Sequence, residues 1–429
     1  MNRILLVNPP IYDFTAYDFW LKPFGILKIG GYLRNQAEIS LFDFMDRNHP
    51  ALQGLTLKRD EWGRGKFPVC PAEKPSALEG PPGKYRRFGL SPELFELKLV
   101  ENGPFDYALV QTGMTYWYQG TVEVIAAIRR VSPETKIIIG GVYVTLCPEH
   151  ARSLGADFCF PGLDLTPLWS ALNVEPDLEQ PPFWEGYSSL SAGVIKLTEG
   201  CPYKCTYCSV SQVYKGFNIN NLNYSITSLE SAIGCGASNM VFYDDSLLFR
   251  WEEALKPFLD SVISRGIKVN FHTPNALNAR MINPENADLM VKAGFRHFYL
   301  GFESTSREWH EITGDKVYSE DLARAVDFLV GAGAEPDKIG AYIIIGHPES
   351  SLQDVEGSIR FAGSLGVQVM LSEFSPIPGT PDGDKCGKWV NMEEPLQHNK
   401  IFFTSTFLGQ ERTQGIKNMC REQNRRIAR

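Results

Sequence analysis

The chain has 429 residues, 43% of them hydrophobic and 21% charged, and a net charge of −8. That length suggests two or three globular domains, and the charge argues against a basic nucleic-acid-binding surface. No apolar run approaches the ~20 residues of a membrane span, and the apolar part of Met1–Asn8 is too short for a secretory signal, so a cytoplasmic protein is expected.

In chain order, Ile4–Val7 is predicted as a strand, Gly25–Arg34 as a helix and Ile39–Phe44 as a second strand. Asn48 to Asn102 is long and irregular, rich in Pro, Gly and charge, and reads as an insertion packing near the active site. Asp106–Val110 and Lys136–Ile139 are further strands, with helical spacing over Thr121–Val131 between them. Alternating strands and helices imply a parallel sheet covered on both faces, with ligands at the carboxyl ends of its strands. Those ends are Asn8-Pro9-Pro10, Asp43–Arg47, Thr112–Tyr118 and Gly140–Leu146.

Asn173 to Tyr187 is acidic and proline-rich and reads as a linker. From Gly193 a second series begins, with strands at Val194–Leu197, Met240–Tyr243, Val269–His272, His297–Leu300, Ala341–Ile345 and Val367–Leu371. Helical spacing recurs between them, as in Trp251–Ser264, Asp321–Leu329 and Leu352–Leu365. Six βα units predict an incomplete parallel barrel with its chemistry at the carboxyl face. After Pro381 no chemical motif is evident, and the basic tail Cys420–Arg429 is expected to be solvated and frayed.

Nine cysteines, an odd number in a chain read as cytoplasmic, argue against a disulfide framework. Six are scattered, as small buried hydrophobes usually are. Cys201, Cys205 and Cys208 are clustered as C-x3-C-x2-C, directly after a predicted strand. Three thiolates on one tight loop can wrap one face of a cubane cluster and leave one iron open. The competing reading is a zinc knuckle or three core cysteines. A zinc site wants a fourth Cys or His at short spacing, and the next candidates are Cys235 and His272.

This spacing, with the aromatic Tyr207 before the last cysteine, resembles the radical S-adenosylmethionine (SAM) superfamily. The resemblance implies that Cys201, Cys205 and Cys208 hold a [4Fe–4S] cluster whose open iron takes the amino and carboxylate groups of SAM. It further implies reductive cleavage of SAM to methionine and a 5′-deoxyadenosyl radical that abstracts hydrogen from a substrate. An external electron donor such as flavodoxin or ferredoxin is implied with it.

The resemblance extends from Gly193 to about Pro381. Phe242-Tyr243-Asp244-Asp245-Ser246 is similar to the F-x-D-D segment of the branch with an N-terminal B12-binding-type domain. Asp244 or Asp245 then meets the SAM amino group or orients the cluster loop, the alternative being a helix cap with Ser246. Thr273 and Asn275 line the pocket or simply form a turn, and His272 is read as structural. Leu300-Gly301-Phe302-Glu303-Ser304 places a carboxylate at an apolar strand end, where it needs a partner. The family uses this Glu for SAM, commonly its ribose hydroxyls; a buried salt bridge is the alternative. Ile343–Ser350 resembles the I-x-G-x-x-E stretch beside the adenine, with Gly346 allowing close backbone approach and Glu349 expected to cap the next helix. Pro376-Ile377-Pro378-Gly379-Thr380 resembles the P-x-P-G-T element, whose backbone around Ile377 seats the adenine.

The first half resembles the B12-binding fold through Asn8-Pro9-Pro10, Pro23–Leu27 and Gly140–Leu146. The cobalt-ligating D-x-H-x-x-G motif is absent, and His49 is out of place for it. The branch also contains proteins that hold cobalamin without a histidine, so cobalamin remains open. Thr112–Tyr118 would line its cavity or serve as interdomain packing.

The expected fold class is α/β: a Rossmann-like doubly wound parallel sheet, a partial (β/α)6 radical SAM barrel and a short C-terminal extension. The divisions are 1–172 with an insertion at about 48–102, a linker at 173–192, the barrel at 193–381 and the extension at 382–429. Three functions compete: a cobalamin-dependent methyltransferase acting on an unactivated carbon of a small molecule, a cobalamin-free radical SAM enzyme for oxidation, rearrangement or group transfer, and a non-catalytic iron–sulfur or zinc protein. No cysteine-rich extension and no C-terminal RNA-binding barrel pattern supports a tRNA methylthiotransferase, and nucleic acid fits the negative charge poorly.

Overall fold

The computed structural model describes residues 1–427; Ala428 and Arg429, the end of the expected frayed tail, lie outside the described residues. The first eight strands are β1 (Asn2–Asn8), β2 (Ile11–Asp13), β3 (Ala37–Asp43), β4 (Val69–Pro71), β5 (Arg86–Phe88), β6 (Tyr107–Thr112), β7 (Lys136–Gly141) and β8 (Phe158–Phe160). Five of them form a parallel sheet in the order β3-β1-β6-β7-β8. Its strands are apolar on both faces, as burial under two helix layers requires. Ile4 and Leu6 pack with the helix Phe24–Leu33, while Leu5 and Val7 pack with the helix Tyr118–Val131. Edge strand β8 was not foreseen; it is three residues long and Phe158 is exposed, so it has no buried run to betray it.

The stretch 48–102, expected to be irregular, contains two strands and a helix. β4 and β5 join β2 in a small antiparallel sheet. Pro92–Asn102 is a helix with Pro in its first turn and Phe95 and Leu99 buried. The linker segment is also packed: Trp184 is fully buried, and Phe183 and Pro181 lie against Gly30 and Gly31 of the first helix so closely that a side chain there would clash.

The second sheet is built from β9 (Ala192–Ile195), β12 (Asn239–Phe242), β13 (Asn270–Asn278), β14 (Phe295–Glu303), β15 (Ile339–Ile345) and β16 (Gln368–Glu373). All its pairings are parallel and follow sequence order, giving a six-stranded open barrel. β10 (Thr198–Gly200) and β11 (Phe217–Ile219) form a separate antiparallel hairpin around the cysteine loop.

A complete barrel fills its own lumen with side chains. Here the first half of the chain supplies them. Trp20 is 2% exposed, stacks on His272 with ring centroids 4.1 Å apart, and clusters with Val241 and Tyr299 of the inner face. Its indole donates to the Trp62 carbonyl at 2.8 Å, and Arg64 donates to the Tyr299 hydroxyl at 2.6 Å. His272 is therefore structural, bonded to His297 and Asn239. The extension is ordered too. Lys400–Leu408 and Gln410–Ile427 are helices, and Asn424 pairs with both backbone groups of Val369, capping the edge of β16. The described part of the tail is thus helical, because Ile416 and Cys420 bury against the barrel.

Candidate functional site

The hairpin β10–β11 carries the cysteine loop. Gly200, directly before Cys201, has φ +82°, and a Cβ there would lie 2.0 Å from the Gly216 carbonyl oxygen, so only glycine fits. Asp244, just past β12, anchors the loop from below. Its Oδ1 accepts from the backbone N–H groups of Leu197 and Thr198 at 2.9 and 2.6 Å and from the Thr198 hydroxyl at 2.7 Å. Burial pushes this carboxyl up to about 7 in spite of those bonds. Asp245 pairs with Lys196 at 3.2 Å, and Lys196 also donates to the Tyr214 hydroxyl at 2.6 Å. Neither aspartate caps a helix, since the next helix begins at Leu255.

Glu303 ends β14 in a left-handed conformation, φ +68°, and is 7% exposed. Such a conformation in a non-glycine residue stores strain. Lys316 approaches its Oε1 at 3.4 Å. Burial alone would lower the Lys316 ammonium, but Glu303, Cys205 and Cys201 together hold it above the ordinary lysine value. Burial pushes the Cys205 thiol up to about 11, with Lys316 opposing. Burial also raises Cys208, against a backbone hydrogen bond from Val210 and the Lys316 charge. Lys316 thus favours the thiolates that metal binding requires.

Among the described residues, the buried polar atoms without a partner at this end of the barrel include Asp244 Oδ2, Asn278 Nδ2 and Glu303 Oε2, at the ends of β12, β13 and β14. Buried polar atoms are normally paired, and a ligand bearing ammonium and hydroxyl groups would satisfy the two carboxylate oxygens. Among the described residues no three His, Cys, Asp or Glu side chains converge closely enough for a single metal ion. A cubane takes its three cysteines on three different irons, so its ligands need not converge on one point. The donor set therefore fits a cluster with SAM.

The other expected site residues divide. Tyr207 stacks on Trp309 with centroids 5.8 Å apart and is partly buried beside the cysteines. Asn275 reaches the Asp244 carbonyl at 3.4 Å, so it lies at this end. The Thr273 hydroxyl is engaged by β14, donating to the His297 carbonyl at 3.3 Å. The Ser304 hydroxyl accepts from the Ser306 N–H at 3.1 Å and shapes a turn. Gly346 has φ +85°, and its missing Cβ is replaced by Thr404, 2.8 Å from that position. The turn after Ile377 is brought to the cysteine loop, where the Asp382 N–H donates to the Thr206 carbonyl at 3.1 Å. Glu349 does not cap a helix: Ser351 and Asp354 form the capping box, and Glu349 pairs with Lys385 at 3.0 Å. Lys316, Lys196 and Tyr214 were missed. Lys196 had a signal, a lone cation in an apolar strand end; Lys316 follows an ordinary Gly-Asp turn and had none.

At the carboxyl ends of β1 and β6 a small cavity, with about 60 Å³ open to water-sized molecules, is lined by Asn8, Pro9, Gln111, Met114, Trp117 and Tyr143 among others. Three of its polar side chains are already paired: Asn8 with Asp43 at 2.6 Å, Gln111 with the Ile26 N–H at 2.8 Å, Trp117 with Asp13 at 2.9 Å. The C-terminal segment docks on the first half of the chain nearby, through Asn399 to Asp13 at 2.9 Å and His398 to Thr115 at 3.0 Å. As folded, this cavity lies far below the ~300–1,000 Å³ of small-molecule pockets, and a corrin does not fit it without movement. His49 does not line this cavity; it caps a short helical turn, its Nδ1 accepting from the Ala51 N–H at 3.2 Å.

Residues 195–362 match the family described as the radical SAM superfamily. This barrel is a radical SAM domain. Proteins with this domain are enzymes that work with a [4Fe–4S] cluster and SAM. It is 25% identical over 193 residues to an uncharacterized methyltransferase of Pyrococcus horikoshii, covering 44% of this chain but only 40% of that protein's length. It is 26% identical over 322 residues to the threonylcarbamoyladenosine tRNA methylthiotransferase MtaB of Thermotoga maritima, covering 67% and 72%. Its fold is similar to that of the radical SAM methyltransferase TsrM of Kitasatospora setae with cobalamin and [4Fe–4S] cluster bound. The TM-score is 0.67 at 16% identity, covering 98% of this chain and 91% of that one. Among the described residues no helix is long and apolar enough to cross a membrane.

Proposed function

We propose that Cys201, Cys205 and Cys208 hold a [4Fe–4S] cluster at which SAM is reductively cleaved to start radical chemistry on a small molecule. The observation that carries this reading is the grouping of the three cysteines around Lys316, which pairs with Glu303, with Glu303 Oε2 and Asp244 Oδ2 buried and unpartnered. When bound, the cluster supplies one electron to SAM, giving methionine and a 5′-deoxyadenosyl radical. Lys316 supplies the positive charge for the SAM carboxylate and steadies the thiolates. Glu303 accepts from the ribose hydroxyls through Oε2. Asp244 fixes the base of the loop and offers Oδ2 to the SAM ammonium. Tyr207, stacked on Trp309, walls the site against water. A flavodoxin- or ferredoxin-type donor in the cytoplasm supplies the electron. The net charge of −8 favours a small substrate over the tRNA named for the Thermotoga relative.

The small volume of the cavity in the first half of the chain supports a reaction that runs without cobalamin. A second reading, cobalamin-dependent methylation of an unactivated carbon, is favoured by the likeness of fold to TsrM over nearly the whole chain. Anaerobic reconstitution with iron and sulfide, with and without hydroxocobalamin, then desalting and addition of dithionite and SAM, tests both. The expected result is 5′-deoxyadenosine with no retained cobalamin. Stoichiometric retention of cobalamin moves the conclusion to the second reading. Absence of 5′-deoxyadenosine, with no SAM-induced change in the EPR of the reduced cluster, overturns both.

A further inference from the structure

A buried polar chain outside the roles assigned above ends on the cysteine loop. Thr206 lies between Cys205 and Tyr207, and every polar group it has is bonded. Its N–H donates to the Thr313 carbonyl at 3.1 Å, its carbonyl accepts from the Asp382 N–H at 3.1 Å, and its hydroxyl donates to Asp382 Oδ2. The same Oδ2 accepts from His347 Nε2 at 3.0 Å. On the other side of the imidazole, Nδ1 accepts from the Trp309 indole at 3.1 Å and from the Glu349 N–H at 3.2 Å. Those two donors leave Nε2 as the protonated nitrogen, so the histidine can only donate to Asp382.

Asp382 and His347 are 1% and 0% exposed. An ionised carboxylate at such a depth is costly unless fully bonded. Although burial alone would raise it, His347, Thr206 and Lys385 hold the Asp382 carboxyl well below the usual range. The partners come from separate parts of the fold: His347 follows β15, Trp309 lies on the helix Arg307–Thr313, and Asp382 follows the proline turn. Trp309 also stacks on Tyr207, whose ring meets the His347 edge at 6.0 Å. Packing of the loop alone would be served by apolar side chains; a buried His–Asp–Thr chain instead fixes one geometry.

The geometry points to His347 and Asp382 as positioning residues that clamp Thr206, and so set where Cys205 and Cys208 present their thiolates to the cluster and hence to SAM. This rests on the proposed cluster reading. The clamp does not touch the reacting atoms; it acts through one residue of the loop.

The test uses the reconstituted full chain and its Thr206→Val, Thr206→Ser, Asp382→Asn and His347→Gln variants. Iron content, the EPR spectrum of the reduced cluster with and without SAM, its midpoint potential and SAM affinity are measured. Thr206→Val and Asp382→Asn are expected to retain iron. SAM affinity should fall about tenfold, the loss of one charge-assisted hydrogen bond. The potential should move upward in Asp382→Asn, where a negative charge is removed, and Thr206→Ser should match the wild type. Thr206→Val removes a single hydroxyl and keeps the test open if Asp382→Asn does not fold. Variants that lose only thermal stability, with potential, spectrum and SAM affinity unchanged, overturn the clamp. A wild-type chain that takes up no cluster overturns the cluster reading, and the clamp with it.

Discussion

Lys316→Met removes the cation that pairs with Glu303 and interacts with the Cys205 and Cys201 thiols. The pair is 3.4 Å apart with side chains 20% and 9% exposed. At an effective dielectric constant of ~20, a unit pair at that separation is worth roughly 5 kcal/mol before desolvation. Breaking a largely buried pair by removing one partner typically costs about 3–5 kcal/mol, because the other charge is left behind. The apo protein with Lys316→Met should therefore lose about 3 kcal/mol in urea unfolding. Adding Glu303→Gln should return most of that loss, since no uncompensated charge remains. SAM binding should stay weakened at least about tenfold in both. Stability and binding thus separate within one double-mutant cycle. A single variant that loses less than ~0.5 kcal/mol, or one that binds SAM as the wild type does, would refute the reasoning.

Asp244 carries a pH signature. Its carboxyl rises from 3.8 to about 7 in the folded chain. Between those values the folded state holds a proton that the unfolded state has lost, so this residue makes stability fall as pH rises through that window. Asp244→Asn should show a shallower fall of the urea midpoint from about pH 5 to about pH 7 than the wild type, and equal slopes would contradict the buried carboxyl. Trp20→Ala should cost about 3–5 kcal/mol, as for other buried Trp truncations; a loss under ~1 kcal/mol would mean that Trp20 does not support the barrel lumen.

The strands with continuous apolar runs were legible because a parallel sheet buries both faces, and segments such as Ile4–Val7 and Ala341–Ile345 advertise that directly. The cysteine loop was legible because its spacing is local. The helix Pro92–Asn102 was legible in principle, through Ser91-Pro92-Glu93, but was hidden by the irregular sequence ahead of it. Lys316 and Asp382 were not legible. Lys316 meets Glu303 across a loop and a helix, and Asp382 meets Thr206 across 176 positions of sequence. Contacts of that kind are set by packing, and neither residue sits in a patterned segment. Gly346 shows the opposite case: the sequence marks the need for a residue without Cβ, while only the fold shows that Thr404 takes the space.

The open barrel explains why the rest of the chain is needed beside it. Six strands leave a lumen and two edges that a closed barrel would not have. Trp20, Trp62 and Arg64 fill the lumen from the first half of the chain, and Asn424 covers the edge of β16 from the last helix. Lys28 of the first helix pairs with Glu199, two residues before Cys201, at 3.0 Å. The same elements that complete the barrel therefore also hold the base of the cysteine loop. The first half of the chain is also joined to Tyr243, which accepts from the Lys22 N–H at 2.9 Å and donates to the Trp20 carbonyl at 2.7 Å. Tyr243 directly precedes Asp244, whose carboxyl accepts from the Leu197 and Thr198 N–H groups, so the first half of the chain and the cysteine loop are joined by two routes, Lys28–Glu199 and Tyr243–Asp244.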